Sequence, residues 1–293
     1  MFTLKIENET EKVVELTQKE SNYQVVSVAG LNPPNAQITT SVIAGHDGSR
    51  FISSKLEERN VVITLQINGD VERNRLFLYR YFKSKRWCKI YYSNESRNVY
   101  IEGYVETVET DLFEQNQQMQ ISIICPDPYF KDIQEIVTDI SKSMARFEFP
   151  FAFGCDFLHM PTITDSAIEF SDIFNSRVCD IYNDGESDIG VIITITARDT
   201  VINPILYNMD TREYFGLKLT LEAGDKIVIN TNQGEKSVTL ERDGIITNQI
   251  NNMTQGSSWF LLTVGSNMFT YDADEGEELL HIYFTHHTRY EAV

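Results

Sequence analysis

The residue pattern of this 293-residue chain reads as mainly β, in two strand-rich halves. Apolar residues recur at every second position over short stretches, which sets one face of a strand against a core. In residues 189–197 every odd position is apolar: Ile189, Val191, Ile193, Ile195 and Ala197. Such stretches are punctuated by Asn183-Asp-Gly-Glu186, Glu222-Ala-Gly-Asp225, Asn232-Gln-Gly234 and Arg242-Asp-Gly244, where each Gly is expected to supply a positive φ. Near the middle, Gln120-Ile-Ser-Ile-Ile-Cys125 reads as a buried strand that Pro126 and Pro128 stop at once. Proline brings no N–H to a sheet ladder and pushes the residue before it out of helical geometry.

In chain order, Phe2, Leu4 and Ile6 alternate with polar residues and predict a first strand. Residues 23–28 and 37–43 are β-branched runs separated by the breaker Gly30-Leu-Asn-Pro-Pro34. Residues 60–67 predict a strand with Val61, Ile63, Leu65 and Ile67 on one face. Residues 87–92 and 99–108 follow, around the polar turn at 94–98. A single helix interrupts these strands. Asp70 can cap its first turn, and it runs from 71 to about 83 with Val71, Leu78 and Phe82 on one face.

Residues 131–141 fit two readings. Ile133, Ile136, Val137 and Ile140 have helical spacing, while their β-branched content favours a strand. The aromatic-rich Phe147-Glu-Phe-Pro-Phe-Ala-Phe-Gly154 reads as the start of the second half. Late strands are expected at 259–264, 268–271 and 279–285, completing a β-sandwich. The expected division is 1–130, a linker at 131–150, and 151–293.

The net charge is −18, with −5 over residues 1–140 and −13 over the rest. Phosphate contacts need lysine and arginine, so this balance argues against nucleic-acid binding. No apolar run approaches the ~20 residues that span a bilayer, and no secretory leader is recognisable, so a soluble product made in a cytoplasm is expected. Cys88, Cys125, Cys155 and Cys179 lack metal-ligand spacing and read as free thiols. One segment stands out against the acidic background. Arg73, Arg75, Arg80, Lys83, Lys85, Arg86 and Lys89 fall within seventeen positions, with only Asp70 and Glu72 close by. A basic helix in an acidic chain favours contact with an acidic neighbour, ahead of a merely solvated face or a nucleic acid. The first six of these cations are the candidate interface residues.

Catalytic and cofactor motifs are absent: the chain has no phosphate-cradling Gly-rich loop and no Gly-x-Ser-x-Gly elbow. His281 and His287 would share a strand face with His286 opposite, which gives no convergent metal geometry. In Asp272-Ala-Asp-Glu-Gly-Glu-Glu278, glycine falls at position 5 and Tyr283 at position 12, so it is not an EF-hand loop. Neither enzyme activity, cofactor nor metal is expected. Trp259 and Tyr271 are candidate sugar-stacking residues, but Trp259 sits in a run that reads mainly as core.

Several landmarks, in order, resemble the distal tail protein family of long-tailed phages. They are Gly30-Leu-Asn-Pro-Pro34, Gly45-His-Asp-Gly-Ser49, Arg59-Asn60-Val61, the helix at 73–82, Gly103-Tyr-Val-Glu106 and Pro126-Asp-Pro-Tyr-Phe130. Tyr182-Asn183, Leu221-Glu-Ala-Gly-Asp225, Gly256-Ser-Ser-Trp-Phe-Leu-Leu262, Gly265-Ser-Asn267 and Arg289-Tyr-Glu-Ala-Val293 continue the match. The resemblance implies an N-terminal split β-barrel-like domain that docks on the tail tube and a C-terminal galectin-like β-sandwich. It further implies a homo-hexameric ring in the virion's tail tip, contacting the tail tube protein, a tail-associated hub protein and a receptor-binding protein. DNA would pass through the lumen without specific binding, and the lumen wall is expected to be neutral to acidic. Strict alternation puts Glu102 and Glu106 with Tyr104 and Val108 on one face of their strand, and Glu109 and Asp111 with Ile101 and Val105 on the other. A carbohydrate-binding module at the tail tip, a contractile tail-like particle and a cell-wall hydrolase are the alternative readings.

Overall fold

The computed structural model describes residues 2–19, 21–113, 117–140 and 178–293. Cys155 and the aromatic stretch at 147–154 lie outside the described residues.

The first half contains β1 (Thr3–Asn8), β2 (Val13–Leu16), β3 (Tyr23–Ala29), β4 (Ala36–Val42), β5 (Ser49–Leu56) and β6 (Arg59–Ile67). Then come α1 (Val71–Tyr81), β7 (Trp87–Ser93), β8 (Asn98–Thr110), β9 (Gln118–Cys125) and β10 (Phe130–Asp139). Antiparallel pairing runs β2-β1-β7-β8-β9-β6-β3. Its two ends meet through one parallel bridge, Thr17 to Gln24, so the barrel stays split. Val61, Ile63, Leu65 and Ile67 all point into the core, as their alternation predicts. Each such side chain contributes roughly 1.5–3 kcal/mol by leaving water. Asp70 caps α1 by accepting from the Arg73 N–H at 3.3 Å. The helix closes one end of the barrel with Leu78, Tyr81 and the following Phe82. The Tyr81 hydroxyl donates to the Ile6 carbonyl at 2.6 Å.

Strict alternation fails along β8. A bulge between Val105 and Thr107 shifts the register, so Val108 pairs with Ile121 and Glu109 with Gln120. One extra residue rotates everything beyond it to the opposite face. Val108 therefore packs against the core, and Glu109 leaves the face of Ile101 and Val105 expected for it. Glu106, beside the bulge, accepts from the Ser122 hydroxyl at 2.9 Å.

The second half contains β11 (Cys179–Asn183), β12 (Ile189–Gly190), β13 (Ile192–Ala197), β14 (Val201–Ile202), β15 (Ile205–Asn208) and β16 (Tyr214–Gly216). It continues with β17 (Thr220–Leu221), β18 (Lys226–Asn230), β19 (Ser237–Arg242), β20 (Ile245–Asn248), β21 (Leu261–Leu262), β22 (Gly265–Asp272) and β23 (Leu280–Tyr290). The path β23-β13-β18-β19-β20 packs on the four-stranded sheet β11-β22-β15-β16. Phe269 and Phe284 meet between the layers with ring centroids 4.9 Å apart. All five odd positions from Ile189 to Ala197 are buried. The strand expected at 259–264 shrinks to β21, while Trp259 packs edge-on against Phe215 at 5.3 Å. Gly224, Gly234 and Gly244 have positive φ. Gly185 does not share it, and is there for space instead: an added Cβ would lie 2.9 Å from the Arg289 carbonyl.

The two halves share one sheet. The part of the expected linker at 131–139 belongs to strand β10, which pairs with β8 on one side and β23 on the other. Its β-branched residues satisfy a ladder better than a helix. At this junction sits Arg59, only 3% exposed. Its guanidinium donates to the carbonyls of Pro128 (2.7 Å), Gly30 (2.5 Å), Asn32 (2.6 Å) and Glu291 (2.6 Å) and lies 4.6 Å from the Phe130 ring centre. Val293 N–H donates to Leu31 at 3.2 Å, so the last residues fold back onto the first half.

Candidate interaction surface

The basic segment forms a surface on α1 and the turn after it. Arg73, Phe77 and Arg80 follow one another at i, i+4 and i+7, one exposed helix face. Phe77 lies between the rings of Tyr23 and Tyr81, with centroids 6.0 Å from each. Toward the helix end, a groove of about 500 Å³ opens between α1 and the β1–β2 turn. Arg80, Lys83, Arg86 and Lys12 line it, and Glu9 is the one acid among them, paired with Arg86 at 3.1 Å. Lys85 holds a positive φ of 68° in the turn, where its N–H donates to Val105 at 2.7 Å.

The six predicted cations do not all serve this surface. Arg75 turns back on its own helix, pairs with Glu72 and has its guanidinium 5.9 Å from the Tyr79 ring centre. Arg73 lies in a separate hollow beside Tyr23 and Asp70. Arg80, Lys83 and Arg86 share the groove, while Lys85 is exposed in the adjoining turn. Lys89, the seventh cation, leaves the patch altogether: it pairs with Glu102 at 3.7 Å and stacks over Tyr100. Phe77 and Tyr23 are the functional candidates that charge counting missed. The helical spacing of Phe77 with Arg73 and Arg80 was the available signal.

A second feature is an arm. Among the described residues β4 and β5 pair only with each other, and nearly every residue in them is exposed. Cross-strand pairs place Ala36, Leu56, Ile38, Phe51 and Val42 on one face, with Thr40, Ser49 and Ser54 between them. Gln37, Lys55, Thr39, Ser53, Ser41 and Arg50 occupy the other. Ile38 is 63% exposed, Phe51 60% and Val42 83%, so the apolar face of an amphipathic hairpin meets solvent.

Burial pushes the Cys88 and Cys125 thiols up to about 12, far from a reactive thiolate at neutral pH. His281 reaches Asp139 at 3.2 Å, His287 lies within 3.1 Å of the Asp132 carbonyl, and His286 points into the interior. Among the described residues, no three His, Cys, Asp or Glu side chains converge as metal ligands. Trp259 carries Lys236 5.6 Å from its ring centre and packs on the core.

Two family models match this chain. Residues 14–125 match the phage tail protein RIFT-related domain, and residues 184–288 match the siphovirus-type tail component, C-terminal domain. No curated protein matches. Among solved structures, SPP1 Dit (gp 19.1), described as a paradigm of the hub adsorption apparatus in phages infecting Gram-positive hosts, is similar over 98% of both chains. Its identity is 14% and its TM-score 0.68. The phage P2 baseplate in its activated conformation with Ca contains a similar chain, with 14% identity and a TM-score of 0.53 over 97% of this chain and 98% of that one. The strontium form of the p2 baseplate gives 13%, 0.52 and 98% of each chain. These likenesses establish a shared fold across both halves.

Proposed function

Because the chain belongs to the distal tail protein family, structural components of the siphovirus tail tip, we propose that six copies close into a ring joining the tail tube to the hub. The observation that carries this reading is the arm of β4 and β5. An isolated two-stranded hairpin is marginally stable in water, and a cluster of large exposed apolar side chains marks a contact surface. Ala36, Ile38, Val42, Phe51 and Leu56 present such a cluster away from both cores. A second copy of the chain is the occupant that a ring supplies at every interface. Contacts between two different surface patches, repeated by rotation, close into rings.

In this reading residues 1–130 dock on the tail tube protein, and residues 151–293 project toward the hub and the receptor-binding protein. DNA passes through the lumen. A neutral to acidic wall would keep the lumen from holding a duplex charged every ~1.7 Å. The role is architectural, with no chemical step. Native mass spectrometry of the purified full chain tests it. The expected spectrum contains a discrete six-copy species. A chain that stays monomeric at every concentration, and also in the presence of its tail tube protein, contradicts the ring.

A further inference from the structure

The basic groove on α1 has a complementary feature elsewhere on the same molecule. At the end of β8, where it leaves its ladder with β9, the chain reads Glu109-Thr-Asp-Leu-Phe113. Phe113 is fully exposed and Leu112 is 45% exposed. Neither Glu109 nor Asp111 has an ion pair among the described residues, and the same holds for Arg80, Lys83 and Lys12. One feature is an acidic knob ending in an aromatic ring. The other is a cationic groove edged by Phe77, itself 44% exposed.

We propose that the Glu109–Phe113 knob of one copy seats in the Phe77–Arg80–Lys83 groove of the next, a second contact within the ring. The inference rests on the ring reading and names residues for it. The Ile67 N–H donates to Gln117 at 3.1 Å, so the knob leaves the barrel beside the N-terminal end of α1. The groove lies at the C-terminal end, with the length of an eleven-residue helix, about 16 Å, between them. The knob therefore sits away from its own groove, and the match is head-to-tail, as ring closure requires. Phe113 would lie against Phe77, in the offset or edge-on geometry that aromatic pairs prefer. Glu109 and Asp111 would face Arg80 and Lys83, fixing register and direction by charge. An acidic chain of net −18 repels a polyanion from the same groove.

The test is a charge swap in the full chain, read by native mass spectrometry and by thermal melting. Glu109→Lys with Asp111→Lys, or Arg80→Glu with Lys83→Glu, should each weaken assembly about tenfold or more and leave the melting temperature unchanged. A chain carrying all four reversals should assemble again, because every interface regains opposite charges. Phe113→Ser should weaken assembly without unfolding. If the parent forms rings and the four-reversal chain does not recover, the knob-in-groove contact is wrong while the ring stands. If only the groove reversals disrupt assembly, the groove meets a different part of the neighbouring copy and the proposal falls. If the parent forms no ring, both readings fall together.

Discussion

Two buried polar residues show what single positions contribute and how far a sequence discloses them. Arg59 heads a strand, and it gathers four carbonyls from three separate segments. Nothing local announces this, because its partners lie 27 to 232 residues away. His286 was legible: alternation places it opposite His281 and His287, and it is 3% exposed. Neither ring nitrogen has a hydrogen-bond partner among the described residues. Burial holds its imidazole below the usual value of 6.5, with His287 adding to the effect. The unfolded chain therefore takes up a proton that the folded chain resists. Stabilisation from this site is complete above 6.5 and is lost as pH falls through the lower folded value. The carboxyls of Asp225 and Glu186 are also held below their usual range, by Arg242 and Arg97, and they act only in more acid solution. The melting temperature should thus drop between about pH 7 and pH 5, and the drop should shrink in His286→Leu. An identical slope for the two proteins would remove His286 as the cause.

At the level of elements, alternation and turn residues disclosed most strands of the first half and the capped helix, because both signals are local. The helix expected from Val71 to about 83 runs from Val71 to Tyr81, and Val61, Ile63, Leu65 and Ile67 face the core as their period predicts. Non-local choices were hidden. Residues 131–139 could be settled only by the strands waiting on either side of them. The bulge in β8 likewise has no local signature, and it moved Glu109 to another face. The arm was half visible: its first strand was legible, while Ser49–Leu56 was not recognised as its partner. Substituting Ile38→Glu and Phe51→Glu puts charge on side chains that already meet solvent, so stability should change by no more than about 0.5 kcal/mol. Assembly should collapse, since the same charges would be buried against a neighbour. A double variant that forms rings as the parent does would free the arm of its assigned role. One that melts much earlier would show that the arm supports the isolated fold.

Across the whole molecule, two cores are built on one continuous sheet path, from β2 through β10 and β23 to β20. That shared sheet ties the orientation of the sandwich to the barrel. The acidic balance was legible from composition. The groove and knob needed folded coordinates, because they join residues 77–83 with residues 9–12 and leave residues 109–113 projecting. The central claim is a ring at the end of a tail. Electron cryomicroscopy of the intact phage tail tip, averaged about the tail axis, tests it most directly. The account predicts six copies of this fold in a closed ring next to the tail tube, with each β4–β5 arm lying on a neighbouring copy. A single copy at the tip, or an arm left in solvent between separated subunits, would contradict it.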